Sequence, residues 1–206
     1  MRRHLPNLLT ILRLALAAIF FILINQYRYP GSESILWSSL VIFALAGITD
    51  LLDGYLARRW QVETTFGRIM DPFCDKVLTL GAFIYLAGPR FVNPDWVEAG
   101  NYFTMISGVY PWMIALMLAR ELLVTDLRMA HENKGTKFGA NLWGKSKAAL
   151  QMIAIPVIIG LVALDPVQDG HQWMGVVRDT LMYATVAVTF ISGLPYIKSA
   201  VVAMRQ

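Results

Sequence analysis

Long apolar segments separated by turn residues are the feature that most constrains how this chain can fold. Each of six segments approaches the roughly 20 residues that a helix needs to cross a bilayer. The segments are Leu8–Asn25, Ile35–Ala57, Pro72–Ala87, Phe103–Leu127, Lys147–Leu164 and Val176–Val201. We therefore predict an all-α integral membrane protein with six transmembrane helices and a short interfacial helical segment at the N-terminus. We expect residues 1–206 to form a single domain.

The composition excludes several other classes of protein. Hydrophobic residues make up 56% of the chain and charged residues 16%, whereas a soluble domain carries about 25% charged residues. Cys74 is the single cysteine, so neither an intramolecular disulfide nor a cysteine-rich metal site can form. These properties exclude a secreted disulfide-linked scaffold, a disordered tail and an ordinary cytosolic enzyme. The net charge is +4. We expect the Lys and Arg residues to face anionic membrane lipids, and we expect no nucleic-acid partner.

The basic residues are distributed unevenly between the two sides of the predicted spans. All 18 Lys and Arg residues fall on one side except Arg28, Arg90 and Arg178. Short loops rich in Lys and Arg stay in the cytoplasm. We therefore expect both termini in the cytoplasm and an active site on the cytoplasmic side of the cell inner membrane.

Four aspartates lie where the second and third spans meet. Asp50 and Asp53 are near the end of the second span, and Asp71 and Asp75 are one helical turn apart at the start of the third. Carboxylates at the ends of apolar helices are costly unless they are paired or bound to a cation. The short connection predicts antiparallel neighbouring helices, so the two acidic faces should oppose each other.

One helical face also carries small residues and a cation beside the first aspartate pair. At 100° per residue, five side chains fall within an arc of roughly 140°. They are Asp50, Asp53, Gly54, Ala57 and Arg58. Gly54 and Ala57 leave space for a ligand or another backbone, and Arg58 could bind a phosphate or pair with an aspartate.

Four carboxylates around one small volume repel one another unless cations are present. All-oxygen ligand sets suit hard cations such as Mg2+ or Mn2+. Two such ions would balance four negative charges and would suit phosphoryl chemistry. Alternatively, the aspartates are exposed loop charges balanced by nearby basic residues, namely Arg58, Arg59, Arg68 and Lys76.

The spacing D-x2-D-G-x2-A-R-x8-G-x3-D-x3-D is matched at every position. The matching residues are Asp50, Asp53, Gly54, Ala57, Arg58, Gly67, Asp71 and Asp75. This pattern resembles the signature of the CDP-alcohol phosphatidyltransferases, a family of six-span membrane enzymes. The resemblance implies two divalent cations held by the four aspartates, a bound CDP-linked lipid and a homodimer. It also implies that Asp75 acts as the general base.

Asn7, Thr10 and Arg13 recur every three residues and form a polar stripe on an otherwise apolar segment. One interpretation is an interfacial helix whose polar side faces water. The family resemblance instead implies that Asn7 and Thr10 lie near the nucleotide, where Thr64 matches another contact position. The implied CDP-lipid site also includes the motif residues Asp50, Asp53, Gly54, Ala57, Arg58 and Gly67.

Four basic residues follow in the second half of the chain, namely Arg120, Lys137, Lys145 and Lys147. Arg120 could extend to the headgroup region or pair with a nearby carboxylate, and the lysines could contact anionic lipid. Their surrounding patterns resemble the glycerophosphate branch of the family. A phosphorylated acceptor would also explain the additional cations. This resemblance implies transfer of a phosphatidyl group from CDP-diacylglycerol to sn-glycerol 3-phosphate, with phosphatidylglycerol phosphate and CMP as products.

Three alternatives stay open at the level of sequence. The acceptor could be inositol phosphate, or phosphatidylglycerol in cardiolipin synthesis, because one sequence does not place the side chains that shape its pocket. The chain could also be a divalent-cation transporter with an aspartate-lined site, although this leaves Gly54, Ala57, Arg58 and Gly67 unexplained. A structural membrane subunit without chemistry would explain none of the acidic face.

Overall fold

The computed structural model of the chain describes residues 5–60, 65–133, 142–164 and 172–203. Within these ranges the secondary structure is helical, apart from turns and an isolated bridge between Val92 and Met105. The helices are α1 (Leu5–Ile24), α2 (Glu33–Trp60), α3 (Thr65–Leu86), α4 (Pro94–Glu98), α5 (Pro111–Asn133), α6 (Leu142–Leu164), α7 (Gln172–Ile191) and α8 (Leu194–Ala203). A short 3-10 turn, Pro89–Phe91, precedes α4. The all-α prediction is confirmed for the described part of the chain.

Four segments of the described chain are long and apolar enough to cross a membrane. They are Asn7–Ile24, Glu33–Tyr55, Ser146–Leu164 and Gln172–Lys198. Helices α3 and α5 overlap the other two predicted spans but carry several charged side chains each. Six membrane crossings, cytoplasmic termini and a separate interfacial segment therefore stay predictions. Residues 5–24 form one continuous helix.

Two predicted spans differ from the helices found. The fourth was expected to begin at Phe103, but α5 begins at Pro111. Gly108 adopts a φ of 65°, which interrupts a helix, and proline is favoured at a helix start because its fixed φ suits the first turn. The sixth span was expected to be continuous over Val176–Val201, but it is divided between α7 and α8 at Ser192 and Gly193.

Helix α1 packs against both α2 and α3. The rings of Phe20 in α1 and Phe43 in α2 meet edge to face, with centroids 5.4 Å apart. On the α3 side, Phe21 stacks on Tyr85 at 5.4 Å and lies against Gly81, where an added Cβ would be 2.7 Å from the Phe21 Cε1. The absent side chain at Gly81 thus permits close packing of α1, which positions its N-terminal half beside the aspartates.

At the end of the helices opposite the aspartates, buried polar side chains form hydrogen bonds between α3, α7 and the segment before α5. Arg178 in α7 donates from Nη1 to the carbonyl oxygen of Ile106 at 2.5 Å and from Nε to Asp179 at 2.8 Å. Ser107 donates to the carbonyl oxygen of Leu86 at 2.6 Å. The bond to Ile106 satisfies a backbone carbonyl of the non-helical segment before α5, and the bond from Ser107 ties this segment to the end of α3.

Candidate active site

The side chain of Arg13 joins three of the four aspartates. Its Nη1 contacts Asp50 Oδ1 and lies 3.1 Å from Asp75 Oδ1, and its Nη2 contacts Asp53 Oδ2. These residues belong to three helices, α1, α2 and α3, which meet at this point. The structure therefore brings together the carboxylates that the helical spacing predicted to face each other, and it adds a guanidinium between them.

The fourth aspartate is held by the same face of α1. Thr10 donates a hydrogen bond from Oγ1 to Asp71 Oδ1 at 3.1 Å. Thr10 and Arg13 are both buried, so this part of the polar stripe faces protein and not water. The stripe thus supplies polar partners to the acidic groups of both neighbouring helices.

The aspartates differ in how accessible they are. Asp53 is buried with 6% of its side chain exposed, whereas Asp75 has 47% exposed and Asp50 has 26%. All four aspartates lie in helices α2 and α3 and Asp53 is buried, so they are not exposed loop charges. Asp75 is therefore more open to a ligand than the other two aspartates that contact Arg13.

The charges of this cluster are not balanced by Arg13 alone. Four ionised carboxylates beside one guanidinium leave an excess of negative charge in a partly buried site, and such an excess favours binding of further cations. Among the described residues, no group of three His, Cys, Asp or Glu side chains is arranged to hold a metal ion. In this arrangement the Arg13 guanidinium lies between the carboxylates of Asp50, Asp53 and Asp75. The donor set itself consists of oxygens, which fits hard divalent cations.

A cavity of about 830 Å3 opens beside the cluster and is lined by Asp50 and Asp75. Its volume lies within the range of small-molecule sites. Apolar side chains from α2 and α6 form much of its wall, among them Phe43, Ile48 and Met152. The cavity thus combines an acidic edge with an apolar wall, as a ligand with a charged head and an apolar tail would require.

Basic side chains line the same cavity around one carboxylate, that of Glu121. Lys147 donates from Nζ to Glu121 Oε2, and Arg120 Nη1 lies 3.2 Å from the same oxygen. Lys76 Nζ lies 3.8 Å from Glu121 Oε1 and donates to Thr125 Oγ1 at 3.0 Å. Three cations sharing one carboxylate leave a positive excess, which suits an anionic group such as a phosphate.

The remaining predicted site residues are only partly described. Gly54 directly follows Asp53 in α2, and buried Gly67 lies one turn before Asp71 in α3. Asn7 is partly buried, one turn before Thr10. Residues that lie outside the described residues, wholly or by their side chains, are Ala57, Arg58, Thr64, Lys137 and Lys145.

Three residues join the site without having been assigned to it from sequence, namely Arg13, Lys76 and Glu121. The period-three stripe contained Arg13, and that period was the signal that could have identified it. Lys76 directly follows Asp75, and Glu121 directly follows Arg120. Their adjacency to predicted site residues was a weaker signal, because neighbours on a helix point in directions 100° apart. The alternative that Arg120 pairs with a nearby carboxylate is confirmed by its contact with Glu121.

Comparison with known proteins agrees with the motif. The family model described as CDP-alcohol phosphatidyltransferase matches residues 3–191. Proteins named CDP-diacylglycerol–glycerol-3-phosphate 3-phosphatidyltransferase are similar along the chain. The Haemophilus influenzae protein is 31% identical over 202 residues, covering 97% of this chain and 95% of the relative. The Bacillus subtilis protein is 34% identical over 164 residues, 76% of each chain, and the Cereibacter sphaeroides protein is 28% identical, covering 97% and 96%. Because the family model matches nearly the whole length of this chain, the chain belongs to the CDP-alcohol phosphatidyltransferase family.

Proposed function

We propose that this protein transfers a phosphatidyl group from CDP-diacylglycerol to sn-glycerol 3-phosphate, and that it releases phosphatidylglycerol phosphate and CMP. The observation that carries the proposal is the shared cavity. Asp50 and Asp75 line one part of it, and the cationic side chains of Arg120 and Lys147 line another. An acceptor that presents both a hydroxyl and a phosphate requires both kinds of group. The names of the relatives support the same reaction.

The CDP-lipid is expected to bind where α1, α2 and α3 meet. The proposed ligands of its nucleotide and diphosphate are Asn7, Thr10, Asp50, Asp53, Gly54, Ala57, Arg58, Thr64 and Gly67. The apolar wall formed by α2 and α6 would receive the beginning of the acyl chains. The remainder of the chains would stay in the bilayer, because transfer of long alkyl chains into water is costly.

Asp50, Asp53, Asp71 and Asp75 are the residues that would hold two divalent cations, Mg2+ or Mn2+. When bound, these ions would neutralise the diphosphate and stabilise the charge that develops during transfer. The excess negative charge around Arg13 and the all-oxygen donor set support this assignment. Because Arg13 contacts three of these carboxylates, we expect its guanidinium to yield part of these contacts when the ions bind.

Asp75 is proposed as the general base. Its carboxylate lines the cavity, and nearly half of its side chain is exposed. It would accept the proton of the primary hydroxyl of the acceptor. The resulting alkoxide oxygen would form a bond to the phosphorus that carries diacylglycerol, and the bond from that phosphorus to the CMP oxygen would break. CMP leaves with the electron pair of that bond, so atoms and charges balance.

The acceptor phosphate is proposed to bind Arg120, Lys137, Lys145 and Lys147. Arg120 and Lys147 already lie together at Glu121, and Lys76 extends this cationic group towards Asp75. Such an arrangement would hold the phosphate at one end of the acceptor while its hydroxyl reaches the base. Positioning of both reactants is the main contribution that a protein makes to phosphoryl transfer.

Placement in the membrane and assembly complete the proposal. The bias of Lys and Arg towards one side supports cytoplasmic termini and an active site at the cytoplasmic surface of the inner membrane. We expect a homodimer, as the family resemblance implies. Both substrates would then reach the site from the cytoplasmic side, CDP-diacylglycerol within the leaflet and glycerol phosphate from water.

The decisive experiment offers a panel of acceptors to the purified full-length protein in lipid nanodiscs with CDP-diacylglycerol and Mg2+ or Mn2+. The panel contains sn-glycerol 3-phosphate, inositol phosphate, phosphatidylglycerol, glycerol and inositol, and CMP release is measured. We expect CMP with sn-glycerol 3-phosphate and little with unphosphorylated alcohols. Release only with another acceptor would reassign the branch. Divalent-ion flux into vesicles without any CMP release would instead support a transporter.

A further inference from the structure

Arg120 is held by a residue that lies outside the aspartate motif, at the break between α7 and α8. Its Nη2 donates to the hydroxyl of Ser192 at 2.8 Å. Ser192 is fully buried and lies at the break between α7 and α8, 72 residues further along the chain. The guanidinium therefore has two fixed contacts, with Glu121 through Nη1 and with Ser192 through Nη2.

The hydroxyl of Ser192 is itself fixed in direction. It donates its proton to the carbonyl oxygen of Thr189 at 2.7 Å. A serine hydroxyl has a single proton to donate, so towards Arg120 it presents only a lone pair. This orientation makes Ser192 an acceptor suited to a guanidinium, which can only donate.

Gly193 provides space for the same side chain. A Cβ at this position would lie 3.1 Å from Arg120 Cγ and 3.2 Å from the carbonyl oxygen of Phe190. Either the Arg120 side chain or the backbone would have to move to accommodate it. At the break between α7 and α8, the Ser192 hydroxyl thus binds Arg120, and the lack of a side chain at Gly193 leaves room for the Arg120 side chain.

One polar atom of Arg120 has no partner in the described part of the chain. Its Nε is buried and makes no hydrogen bond there, although the side chain as a whole is only 9% exposed and lines the cavity. A buried donor without a partner is costly. Nη1 and Nη2 each carry a second N–H, and guanidinium groups bind phosphates through several N–H groups at once.

We infer that Ser192 is a positioning residue for the acceptor site. Its hydroxyl, together with the space at Gly193, fixes the guanidinium of Arg120 for binding the phosphate of the acceptor. This inference rests on the proposed function, because it concerns the residue that we propose to hold the acceptor phosphate. It adds the α7–α8 break to a site whose other proposed ligands lie in α1 to α3, α5 and α6 or in the connections between them.

The test measures steady-state kinetics of the purified full-length protein with Ser192→Ala, in which the methyl side chain still fills most of the space. We expect the KM for sn-glycerol 3-phosphate to rise about tenfold, as loss of a hydrogen bond to a charged group predicts. The KM for CDP-diacylglycerol should change little, and the melting temperature should fall only by what the loss of one buried hydrogen bond costs. Gly193→Ala, which keeps the hydroxyl but crowds Arg120, should raise the same KM.

Matched controls separate positioning from packing. Ser39 in α2 is also fully buried and donates to a carbonyl oxygen of its own helix, that of Ile35 at 2.8 Å. Ser39→Ala should leave both KM values unchanged. For the glycine, Gly160→Ala places its Cβ 3.4 Å from Leu40 Cδ1, an ordinary contact, and should likewise have no effect on acceptor binding.

A double-mutant cycle decides whether Ser192 acts through Arg120. In an Arg120→Ala background, Ser192→Ala should cause no further rise in the KM for sn-glycerol 3-phosphate. The inference would be overturned if Ser192→Ala raised the KM for sn-glycerol 3-phosphate equally in the wild-type and Arg120→Ala backgrounds, or raised it in neither. It would also be overturned if Ser192→Ala raised the KM values of both substrates equally. If Arg120→Ala itself leaves this KM unchanged, the proposed acceptor site fails at Arg120, and this outcome is distinguishable from a failure of Ser192 alone.

Discussion

The guanidinium of Arg13 in α1 contacts the carboxylate of Asp53 in α2, and both side chains are almost completely buried. The same guanidinium reaches Asp50 and Asp75. One cation therefore offsets part of the charge of the acidic residues in α2 and α3. Removal of the cation would leave the buried carboxylate of Asp53 without an internal counter-charge.

Arg13→Met should destabilise the protein when divalent ions are absent. Methionine has a similar length but no charge, so the buried carboxylate of Asp53 and the partly exposed carboxylates of Asp50 and Asp75 lose their partner, and the buried one alone makes this cost about 3 kcal/mol or more. Thermal unfolding in detergent should show a lower midpoint in EDTA and a smaller difference from wild type in Mg2+, because bound cations compensate. The exposed Arg28 offers the control Arg28→Met. Equal midpoints for wild type and Arg13→Met in EDTA would refute a stabilising role for Arg13.

Asp75→Asn should yield a folded protein that no longer releases CMP. An amide keeps the shape of the carboxylate but cannot accept the proton of the acceptor hydroxyl, and loss of a general base lowers rates by about 100-fold or more. Single-turnover CMP release should be compared with that of Asp95→Asn, which changes an exposed aspartate at the other end of the helices. Near-normal turnover of Asp75→Asn would show that another group is the base.

Removal of divalent ions should abolish CMP release, and added Mg2+ or Mn2+ should restore it. A cation that binds only the folded protein also stabilises it, by about 2.7 kcal/mol at 100 times its Kd. The unfolding midpoint of wild type should therefore rise with Mg2+, whereas that of Asp50→Asn combined with Asp53→Asn should rise less. Undiminished activity in excess EDTA would contradict the assignment of the four aspartates.

Lys147→Met should weaken acceptor use more than donor use. Lys147 is buried beside Glu121 and lines the cavity, so its loss removes a charge that we propose to face the acceptor phosphate. We expect the KM for sn-glycerol 3-phosphate to rise roughly tenfold or more, with a small change for CDP-diacylglycerol. The exposed Lys198 allows the control Lys198→Met. A selective change in the KM for CDP-diacylglycerol would show that Lys147 contacts the donor and not the acceptor.

Gly81→Ala should lower the stability of the protein. The new Cβ would lie 2.7 Å from Cε1 of Phe21 and closer still to Cζ of the same ring, and relief of this overlap requires movement of α1 or of the stacked pair of Phe21 and Tyr85. Such overpacking costs about 1–3 kcal/mol. The melting temperature should fall relative to wild type and to the control Gly160→Ala, whose Cβ makes an ordinary contact. An unchanged melting temperature would mean that the ring moves without cost.

Local pattern was sufficient for much of the helical architecture. The predicted first span ends within a residue of α1, and the predicted fifth span ends with α6 at Leu164, because apolar runs and their flanking turn residues report directly on helix length. The start of α5 was missed although Pro111 signalled it, since the apolar run before Pro111 masked the turn at Gly108. The break after Ile191 was missed although Ser192-Gly193 and Pro195 signalled it, since the apolar run over Val176–Val201 masked this turn.

The candidate site divides in the same way. Spacing of one turn within α2 and within α3 predicted that each aspartate pair shares a face, and the structure brings Asp50, Asp53 and Asp75 to one guanidinium. Arg13 lies 40 residues from Asp53 and 62 from Asp75 in sequence, so its arrival between them depends on how α1 packs. Contacts of Arg120 with Ser192 depend likewise on the packing of α5 against α8 and α7.

The placement of Arg13 and Thr10 on a helix outside the aspartate motif has an evolutionary consequence. An acidic side chain lost from α2 or α3 would remove one of the acceptors that hold the Arg13 guanidinium, and a neutral residue in place of Arg13 would leave the acids uncompensated. Position 13 and the acidic positions are therefore constrained to change jointly. A chimaera that grafts the first helix of a distant homologue onto this chain should work only where the donor helix brings its own cation at the equivalent turn.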